Sequence, residues 1–588
     1  MRTLHKIYKS ALAAFTAWAF VSCTDLDENV YGQVMSENYY NTRADVIHAV
    51  FRPFEHVFES VVSYFQNEEL PGDQFVTISR GAFGWYDGGV WERFHRHQYD
   101  EITGSPDAAA QWNKMYQGIG QCNLVLDDLA RLSPSSFDMG QTEWNALTSQ
   151  LRAMRAYCYI VLLNHFRNCV LVTTSNTEIN MLPENRKQVS PEVLFNFIES
   201  ELKICMQQLD VKTGENGNVG MQGQFTKGSA AMLLMRLYLN AEVWIGKPMY
   251  EECRDLCKKI IAGDYGNYAL AKTWYEPYDW NNQTSNEVVF AFPASEGTTS
   301  WHMQNNYRTI YGRGLPYGSQ TYLDIAGNGA RNPKYIISPS YDNQIPRQLH
   351  PYKLGMVTQK FEKYAGDLRY RYYKNTSVNT REGMFFLEGY IETPGGDRAK
   401  AQDGYDIYLL DQVGTFNEKA PEGEIAVSGK GASIMGNGDF NSGLYCVKYP
   451  FYPYKGGYYI ESDCVWMRFT EVHYTLAECE LRLENAGEAG KILNNVRKRN
   501  YESFDVNIKY QPEGAVALDM DEMLDEWGRE FIMEGRRRTD LIRFGRFQEE
   551  WWDKPEDKDD HYELFPLSQT TLEQNPYLKQ NPGYPDIR

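Results

Sequence analysis

Residues 465–499 read VWMRFTEVHYTLAECELRLENAGEAGKILNNVRKR. Apolar residues recur in the first half of this segment at steps of four and three, at Val465, Phe469, Val472, Leu476, Cys479 and Leu483. This spacing predicts a helix with one buried stripe. Ala486-Gly487 interrupts the stripe, and a shorter helical pattern follows through Leu493, Val496 and Arg499. Two antiparallel helices joined by a short turn are the unit of helical repeat arrays, so the segment predicts a repeat scaffold.

The N-terminal third of the chain is also predicted to be helical. Ser105-Pro106-Asp107 and Ser190-Pro191-Glu192 each combine a capping serine, a proline for the first turn and an acid near the positive end of the helix dipole. Each therefore predicts a helix start. Residues 151–165 carry apolar side chains at three- and four-residue steps, which predicts one buried helix face. Residues 226–241 are apolar nearly all round, which indicates a helix packed on several sides.

The middle of the chain, residues 264–460, has a different pattern. Gly, Pro, Asn and Asp crowd together, tyrosines are dense and the helical period is lost. Glu287-Val288-Val289-Phe290 is typical of a short strand, whereas the glycine-rich residues 393–443 predict long loops. We therefore expect a mainly α protein. In it, helices from both ends of the chain form a platform, and an irregular, loop-rich, few-stranded face lies across it.

The overall charge of the chain bears on its partners. The 588 residues include 59 Lys+Arg and 78 Asp+Glu, a formal net charge of −19. Because phosphate binding needs Lys and Arg, this balance argues against nucleic acid as a partner. Aromatic residues make up 14% of the chain and include 42 tyrosines. So many tyrosines indicate amphipathic rings at surfaces, with one apolar edge and one wet edge.

The N-terminus has the features of an export signal. Three basic residues precede the apolar run of residues 11–22, which is too short to span a bilayer. This arrangement predicts a signal peptide over residues 1–22. The next stretch, Phe20-Val21-Ser22-Cys23, resembles a bacterial lipoprotein box, so we expect an acylated Cys23 followed by a linker over residues 23–41. A plain cleaved signal with a free Cys23 is the alternative.

Several common motifs of catalysis, cofactor binding and metal binding are missing from the sequence. It lacks a Walker loop and the HExxH, GxSxG and CxxCH patterns. His95 and His97 would need a third metal ligand that is not evident, so surface or hydrogen-bonded histidines are the simpler interpretation. Glu471 and Glu478 lie seven residues apart on one predicted helix face, which we interpret as a solvated edge. We therefore predict a protein that is not an enzyme and has no metal and no cofactor.

Aromatic residues on glycine-rich segments form the candidate ligand site. One cluster lies within residues 73–99 and a second within residues 274–317. Flat apolar rings edged by Asp, Asn and Arg suit pyranose sugars, whose C–H faces stack while their hydroxyls form hydrogen bonds. The alternative is that these rings anchor loops to the core. The predicted glycan-binding residues are Asp73, Arg80, Trp85, Trp91, Trp301, Tyr307, Arg308 and Tyr311.

A set of short sequence blocks runs in order from residue 23 to residue 584. In the N-terminal half the blocks are Thr24-Asp25-Leu26-Asp27-Glu28-Asn29, the pair Cys122-Asn123 and Leu151-Arg152-Ala153-Met154-Arg155-Ala156-Tyr157. In the C-terminal half they are Arg468-Phe469-Thr470-Glu471-Val472, Leu493-Asn494-Asn495-Val496-Arg497, Glu534-Gly535-Arg536-Arg537, Asp540-Leu541-Ile542-Arg543-Phe544-Gly545 and Leu564-Phe565-Pro566-Leu567. As a set, these blocks resemble the SusD/RagB family of surface lipoproteins from Bacteroidetes.

The resemblance implies a SusD-like fold with tetratricopeptide-like helical repeats. It implies one body over residues 42–588, with the repeats mainly in residues 42–263 and 464–550 and a ligand-facing insert over residues 264–463. It also implies a lipid anchor in the outer membrane, facing the outside. There the protein would be a non-catalytic lid that binds oligosaccharides over a SusC-like TonB-dependent transporter.

Two alternatives stay open at this stage: the same scaffold binding peptides, and a helical glycoside hydrolase. Most residues of the matched blocks are expected to be structural. We expect Arg497, Glu530, Glu534 and Arg537 in particular to satisfy helix ends and partner charges.

Overall fold

The computed structural model describes residues 39–80, 88–212, 223–293, 335–344, 346–377, 380–392, 396–400, 406–416, 431–450 and 462–588. The chain divides into two units, residues 1–47 and residues 48–588. In the described part of the first unit, the Asp45 carboxylate accepts hydrogen bonds from the Thr42 amide at 2.8 Å and from the Thr42 hydroxyl at 2.9 Å. The second unit holds the described strands and most of the helices.

Helices dominate the described residues, which confirms the predicted mainly α fold class. They are α1 Arg43–Phe58, α2 Val61–Glu69, α3 Val90–His95, α4 Pro106–Leu129, α5 Gln141–Phe166, α6 Thr177–Asn180, α7 Pro191–Gln208, α8 Lys227–Leu239, α9 Ala241–Ile245, α10 Tyr250–Ala262, α11 Val357–Glu362, α12 Phe469–Arg482, α13 Ala486–Arg497, α14 Met520–Glu530, α15 Arg537–Arg543 and α16 Gln569–Gln574. The helical hairpin predicted for residues 465–499 is α12 with α13. None of these helices is both long enough and apolar enough to cross a lipid bilayer.

The longer helices pack as a continuous array. Helix α4 packs on α2 and α5, α5 packs on α7, and α7 packs on α8. Helix α8 then packs on α10, and α10 packs on α12, which pairs with α13. Each helix therefore contacts its neighbours along the chain, as in a repeat array. The contact between α10 and α12 joins the N-terminal helices to the C-terminal hairpin across the loop-rich middle of the chain.

The strands form small two-stranded antiparallel sheets. They are β1 Phe75–Thr77, β2 Val288–Phe292, β3 Tyr335–Ile337, β4 Lys374–Ser377, β5 Thr380–Glu382, β6 Phe385–Phe386, β7 Gly389–Tyr390, β8 Tyr408–Leu409, β9 Tyr445–Cys446 and β10 Cys464–Arg468. Strand β1 pairs with β3, and β10 pairs with β2. The strand predicted at residues 287–290 is confirmed as part of β2, whose residues are all buried.

The two predicted serine caps have different outcomes. The Ser190 hydroxyl accepts a hydrogen bond from the Val193 amide at 3.4 Å, so Ser190 caps α7 as predicted. Helix α4 begins at Pro106, directly after Ser105, as predicted, but the predicted cap is wrong, because the Ser105 side chain makes no capping bond to α4 and its φ is +51°. The Ser105 hydroxyl accepts instead from the Asp100 amide at 3.0 Å. A tight turn over residues 100–105 therefore takes the hydroxyl that the helix would have used.

The core of the C-terminal hairpin is mainly apolar. Tyr474, Leu493, Val496 and Trp527 are at most 1% exposed and pack together. The nine cysteines from Cys122 to Cys479 are all buried and unpaired in the structure, where their thiols act as small apolar groups. Burial of so many large side chains is the main favourable contribution to folding.

A network of charged residues is also buried between α12, α14 and the β2–β10 sheet. Arg468, at 2% exposure, lies 2.8 Å from Glu530, 2.9 Å from Glu534 and 3.2 Å from Glu287. Although burial alone would raise it, the guanidiniums of Arg468 and Arg499 hold the pKa of Glu530 well below its usual range. The expected structural role of Glu530 and Glu534 is therefore confirmed.

A second buried ion pair joins the two ends of the chain. The Arg537 guanidinium donates to both oxygens of Asp73, at 2.6 and 2.9 Å, and the Gly355 amide donates to the same carboxylate at 2.7 Å. Asp73 is fully buried and Arg537 is 2% exposed. The residue pair fixes the start of β1 against α15, which confirms the expected structural role of Arg537.

We predict that Arg537→Met strongly destabilises the protein, because it leaves the Asp73 carboxylate buried without its bidentate partner. Breaking a buried ion pair costs about 3–5 kcal/mol. Urea denaturation should show a fall of that size in the free energy of unfolding. The matched control is Arg52→Met, because Arg52 is 61% exposed beside Glu55. The control should change stability by less than about 1 kcal/mol, and equal effects of the two substitutions would contradict the prediction.

The described part of the loop-rich middle is held together by buried acids. Asp411, at 2% exposure, accepts hydrogen bonds from the Ser340 amide at 3.0 Å and from the Thr358 hydroxyl at 2.6 Å. Burial raises the pKa of Asp411 to about 7, although these hydrogen bonds oppose the shift. The folded protein therefore keeps a proton on Asp411 at pH values at which the unfolded chain has released it.

The raised pKa of Asp411 predicts a loss of stability as pH rises. The contribution of Asp411 to the free energy of unfolding is complete below about pH 4, where this side chain is also protonated in the unfolded chain. This contribution is lost as pH rises through about 7. The shift corresponds to at most about 4 kcal/mol. We expect the free energy of unfolding of the wild type to fall by up to that amount relative to Asp411→Asn between pH 4 and pH 8. Parallel pH profiles of the two proteins would contradict the prediction.

Candidate ligand-binding site

Helix α3 carries Trp91, one of the predicted ligand-binding residues of the first aromatic cluster. It follows Gly88 and Gly89, whose φ values are +76° and +78°. A residue with a Cβ adopts this left-handed backbone only with strain, which accounts for the two glycines. The turn brings Trp91 onto the first turn of α3, where its side chain is partly exposed.

The orientation of Trp91 is fixed by two neighbours. Its indole N–H donates to the Asp107 carboxylate at 2.8 Å, and Asp107 lies in the first turn of α4. The Trp91 ring lies 5.9 Å from the ring of Tyr335 on β3. The ring is therefore held between the helix array and the β1–β3 sheet while part of its surface stays accessible to a ligand.

A pocket of about 140 Å³ lies between α3 and the start of α4, and Asp107, which accepts the hydrogen bond from the Trp91 indole, is one of its lining residues. Its lining residues are Val90, Arg93, Phe94, Gln98, Asp100, Thr103, Ser105, Pro106 and Asp107. Arg93, Gln98 and Thr103 are exposed at its rim. A guanidinium, an amide, a hydroxyl and carboxylates thus line a pocket that shares Asp107 with the Trp91 ring. This combination suits a ligand that has both a flat apolar face and hydroxyl groups.

The two histidines of α3 and its C-terminal end are structural. His95 and His97 are each 1% exposed. The His95 nitrogens lie 3.1 Å from the Leu70 carbonyl and 3.0 Å from the Trp552 carbonyl. The His97 Nδ1 lies 2.7 Å from Asp557. The sequence suggested either surface histidines or hydrogen-bonded histidines. The second interpretation is right and the first is wrong, because both side chains are buried and hydrogen-bonded. Among the described residues, no three His, Cys, Asp or Glu side chains form a group that could hold a metal ion.

Asp73 and Arg80, two of the predicted ligand-binding residues, are buried. Both oxygens of Asp73 are bonded to Arg537, so a ligand would have to break this ion pair to reach them. Arg80 is 5% exposed and donates to the Tyr445 hydroxyl at 2.8 Å and to the Ser442 carbonyl at 3.4 Å. We therefore assign both residues a structural role, as a correction to the prediction from sequence.

The described part of the second aromatic cluster belongs to the core. Trp274 and Trp280 are each 5% exposed and Tyr278 is 1% exposed. For these rings, the alternative that aromatic residues anchor loops is right, because all three are buried rather than facing solvent. The remaining predicted residues, Trp85, Trp301, Tyr307, Arg308 and Tyr311, lie outside the described residues, as does the predicted lipidation site Cys23.

The acid pair considered for glycoside hydrolysis is also buried, which corrects its interpretation as a solvated edge. Glu471 is 3% exposed and bonded through both oxygens to Arg236 at 2.7 Å. Glu478 is fully buried, 2.8 Å from both Arg543 and Arg482. Burial alone would raise the pKa of Glu478, but these two arginines hold it below the usual range. Such a carboxyl is poorly suited to act as a general acid at neutral pH.

Sequence reasoning missed the polar residues of the pocket. Asp107 was interpreted only as a helix-dipole acid, and Arg93, Gln98 and Thr103 carry no motif. Their proximity depends on the turn over residues 100–105, which returns the chain towards α3. The short separation in sequence between Trp91 and Ser105-Pro106-Asp107 was the one indication that these residues lie close together.

Two family models match the chain. The model described as the SusD family matches residues 266–584, more than half of the 588 residues. A second model, described as "Starch-binding associating with outer membrane", matches residues 60–239. The second match includes Trp91 and the whole of its pocket.

Individual relatives agree with these matches. The starch-binding protein SusD of Bacteroides thetaiotaomicron is 25% identical over 503 residues, which cover 83% of this chain and 81% of that protein. A solved SusD homologue from the same organism superposes with a TM-score of 0.65 at 16% identity, covering 93% of this chain and 98% of its own. Surface glycan-binding protein A from Bacteroides fluxus superposes with a TM-score of 0.62 at 16% identity, covering 92% and 100% of the two chains. At these identities the solved structures establish a shared fold.

Proposed function

Because the chain belongs to the SusD family, we propose that it is a non-catalytic glycan-binding protein of the cell surface. The observation that carries the proposal is the partly exposed Trp91, held by Asp107, which also lines the pocket between α3 and α4. The names of two relatives, a starch-binding protein and a surface glycan-binding protein, support the same class of ligand.

In this proposal a sugar ring stacks on Trp91 while its hydroxyls bond to the pocket rim. Stacking on an aromatic ring contributes about 1–3 kcal/mol, by analogy with nucleobases. Two or three such rings would give affinities from about micromolar to millimolar, which suits capture followed by release. We propose Trp85, Trp301, Tyr307, Arg308 and Tyr311 as further contacts to the same oligosaccharide.

The proposal extends to where the protein works. An acylated Cys23 would anchor it to the outer membrane, facing outwards, since several acyl chains together give a lasting anchor. Bound oligosaccharides would pass to a SusC-like TonB-dependent transporter, over which the protein would act as a lid. A family model whose description refers to the outer membrane supports this location.

We predict that Trp91→Ala weakens polysaccharide binding by about 5- to 150-fold, because it removes one stacking ring worth about 1–3 kcal/mol. Affinity electrophoresis of the full-length protein in gels containing a panel of polysaccharides measures this effect. Trp301→Ala and Trp85→Ala should reduce the retardation on the same polysaccharide.

Two controls separate ring stacking from a general loss of structure. Trp91→Phe keeps an apolar ring and should retain most of the retardation, although it loses the bond to Asp107. Tyr577→Ala removes an aromatic ring that is 36% exposed and is not part of the pocket lining. It should migrate like the wild type. Unchanged retardation of Trp91→Ala on every polysaccharide that retards the wild type would contradict the proposed site.

We also predict that the protein does not cleave the glycan that it binds. Both acids of the hydrolase alternative, Glu471 and Glu478, are held by arginines and are nearly closed to solvent. Incubation of the full-length protein with the retarding polysaccharide should therefore release no reducing ends above the buffer control. Release that disappears in Glu478→Gln would support the hydrolase instead.

A further inference from the structure

A second cavity lies on the other side of α2 from Trp91. Two consecutive residues of α2 contact different neighbours. The Phe65 ring lies 5.9 Å from Tyr335, which itself contacts Trp91, whereas the Tyr64 ring lies 4.9 Å from Trp466. Tyr64 and Trp466 line a crevice of about 70 Å³ between α5, α8 and the segment that joins α14 to α15. We call it the Tyr64 crevice.

The walls of the Tyr64 crevice are mostly aromatic and aliphatic. The Tyr64 and Trp466 rings are inclined by 52° to each other and both are partly exposed. Trp244, Ile160, Val161 and Leu233 complete the apolar part of the lining. Two inclined aromatic rings at the mouth of an apolar crevice form a wedge into which the edge of a flat ring can enter.

Arg236 supplies a cationic hydrogen-bond donor to the crevice. Its Nε and Nη2 each donate to Glu471 at 2.7 Å, and Nη2 also donates to the Trp466 carbonyl at 2.8 Å. The Nη1 hydrogens have no acceptor among the described residues, and the side chain is 22% exposed. Arg236 is thus held in place by Glu471 while one face of its guanidinium remains available to a ligand.

Tyr64 supplies a second polar group. Its hydroxyl makes no hydrogen bond to any residue that the structure describes. Burial and the nearby Glu68 raise the pKa of Tyr64, so the hydroxyl keeps its proton at neutral pH and can donate it to an acceptor. The buried indole N–H of Trp466 lies near the Tyr157 hydroxyl and also lacks an acceptor of normal geometry within the described part of the chain.

The charged side chains that line the crevice are paired with one another. Four arginines, at positions 236, 468, 536 and 543, face two glutamates, at positions 471 and 534. Asp540 and Glu478, which pair with Arg536 and Arg543, lie behind the lining, as do Glu287 and Glu530, which pair with Arg468. Acids therefore balance these arginines, and the groups left for a ligand are the Arg236 Nη1 hydrogens and the Tyr64 hydroxyl. Both are hydrogen-bond donors, which suits a ligand carboxylate.

We propose that the Tyr64 crevice binds a small ligand made of a six-membered ring with a carboxylate, such as a hexuronate. The carboxylate would accept hydrogen bonds from Arg236 Nη1 and the Tyr64 hydroxyl, and the ring would lie between Tyr64 and Trp466. The enclosed volume equals the space of about five water molecules, so it holds one edge of such a ring and leaves the rest at the open mouth. This inference does not depend on glycan binding at Trp91.

Isothermal titration calorimetry of the full-length protein tests the proposal with two sugars that differ mainly at one carbon. D-Galacturonate carries a carboxylate where D-galactose carries a hydroxymethyl group. We expect galacturonate to bind at least about tenfold more tightly, because hydrogen bonds to an ionised group are the stronger ones. A third probe, 4-hydroxybenzoate, distinguishes an aromatic carboxylate from an acidic sugar. Binding of either acid in preference to galactose supports the proposal. The acid that binds more tightly shows whether the crevice takes an acidic sugar or an aromatic carboxylate.

The most informative variant is Tyr64→Phe, because the Tyr64 hydroxyl has no bond within the described protein and its loss should leave folding intact. We expect Tyr64→Phe to weaken binding of the acid about three- to tenfold, while Tyr577→Phe, the matched control on the surface, binds like the wild type. Arg236→Lys should weaken binding of the acid further, provided that the melting temperature of this variant matches that of the wild type.

Three results would overturn the proposal. They are failure of both acids to bind below about 10 mM, binding of neither acid more tightly than galactose, and unchanged binding of the acid by Tyr64→Phe. Retardation of Tyr64→Phe on polysaccharide gels should equal that of the wild type. Failure of this proposal is therefore distinguishable from failure of the glycan site at Trp91.

Discussion

Buried arginines paired with carboxylates from distant parts of the chain fix the arrangement of this protein. Arg468 at the end of β10 meets Glu287 from β2 and Glu530 from α14, and Arg537 in α15 meets Asp73 before β1. The net stabilisation by such pairs is small because desolvation offsets their attraction, but loss of one partner is expensive. The pairs therefore favour the one packing in which every charge has a partner.

The candidate site depends on this framework. Asp73 fixes the start of β1, β1 pairs with β3, and Tyr335 of β3 contacts Trp91. On the other side, Asp107 ties Trp91 to the helix array through α4. The Trp91 ring, the proposed stacking surface on a short helix, is thus held by regular elements on both sides. This reduces the conformational freedom that binding would have to remove.

The sequence predicted those features that depend on local patterns. The steps of four and three in residues 465–499 predicted α12 and α13, and Val288-Val289 predicted β2. Sequence blocks spread over the chain also led to the right family. Local patterns could not reveal which polar residues are buried. Glu478 resembled an exposed helix acid because its partner Arg543 is 65 residues away, and Asp73 resembled a ligand-binding group because Arg537 is 464 residues away.

Hydrogen–deuterium exchange measured by mass spectrometry tests the central claim that a glycan binds beside Trp91. The full-length protein would be compared with and without an oligosaccharide selected on a glycan array. The account predicts slower exchange in peptides that cover residues 88–107, and unchanged exchange in peptides from α12 and α13. Protection confined to peptides that lack Trp91 and its pocket would contradict it.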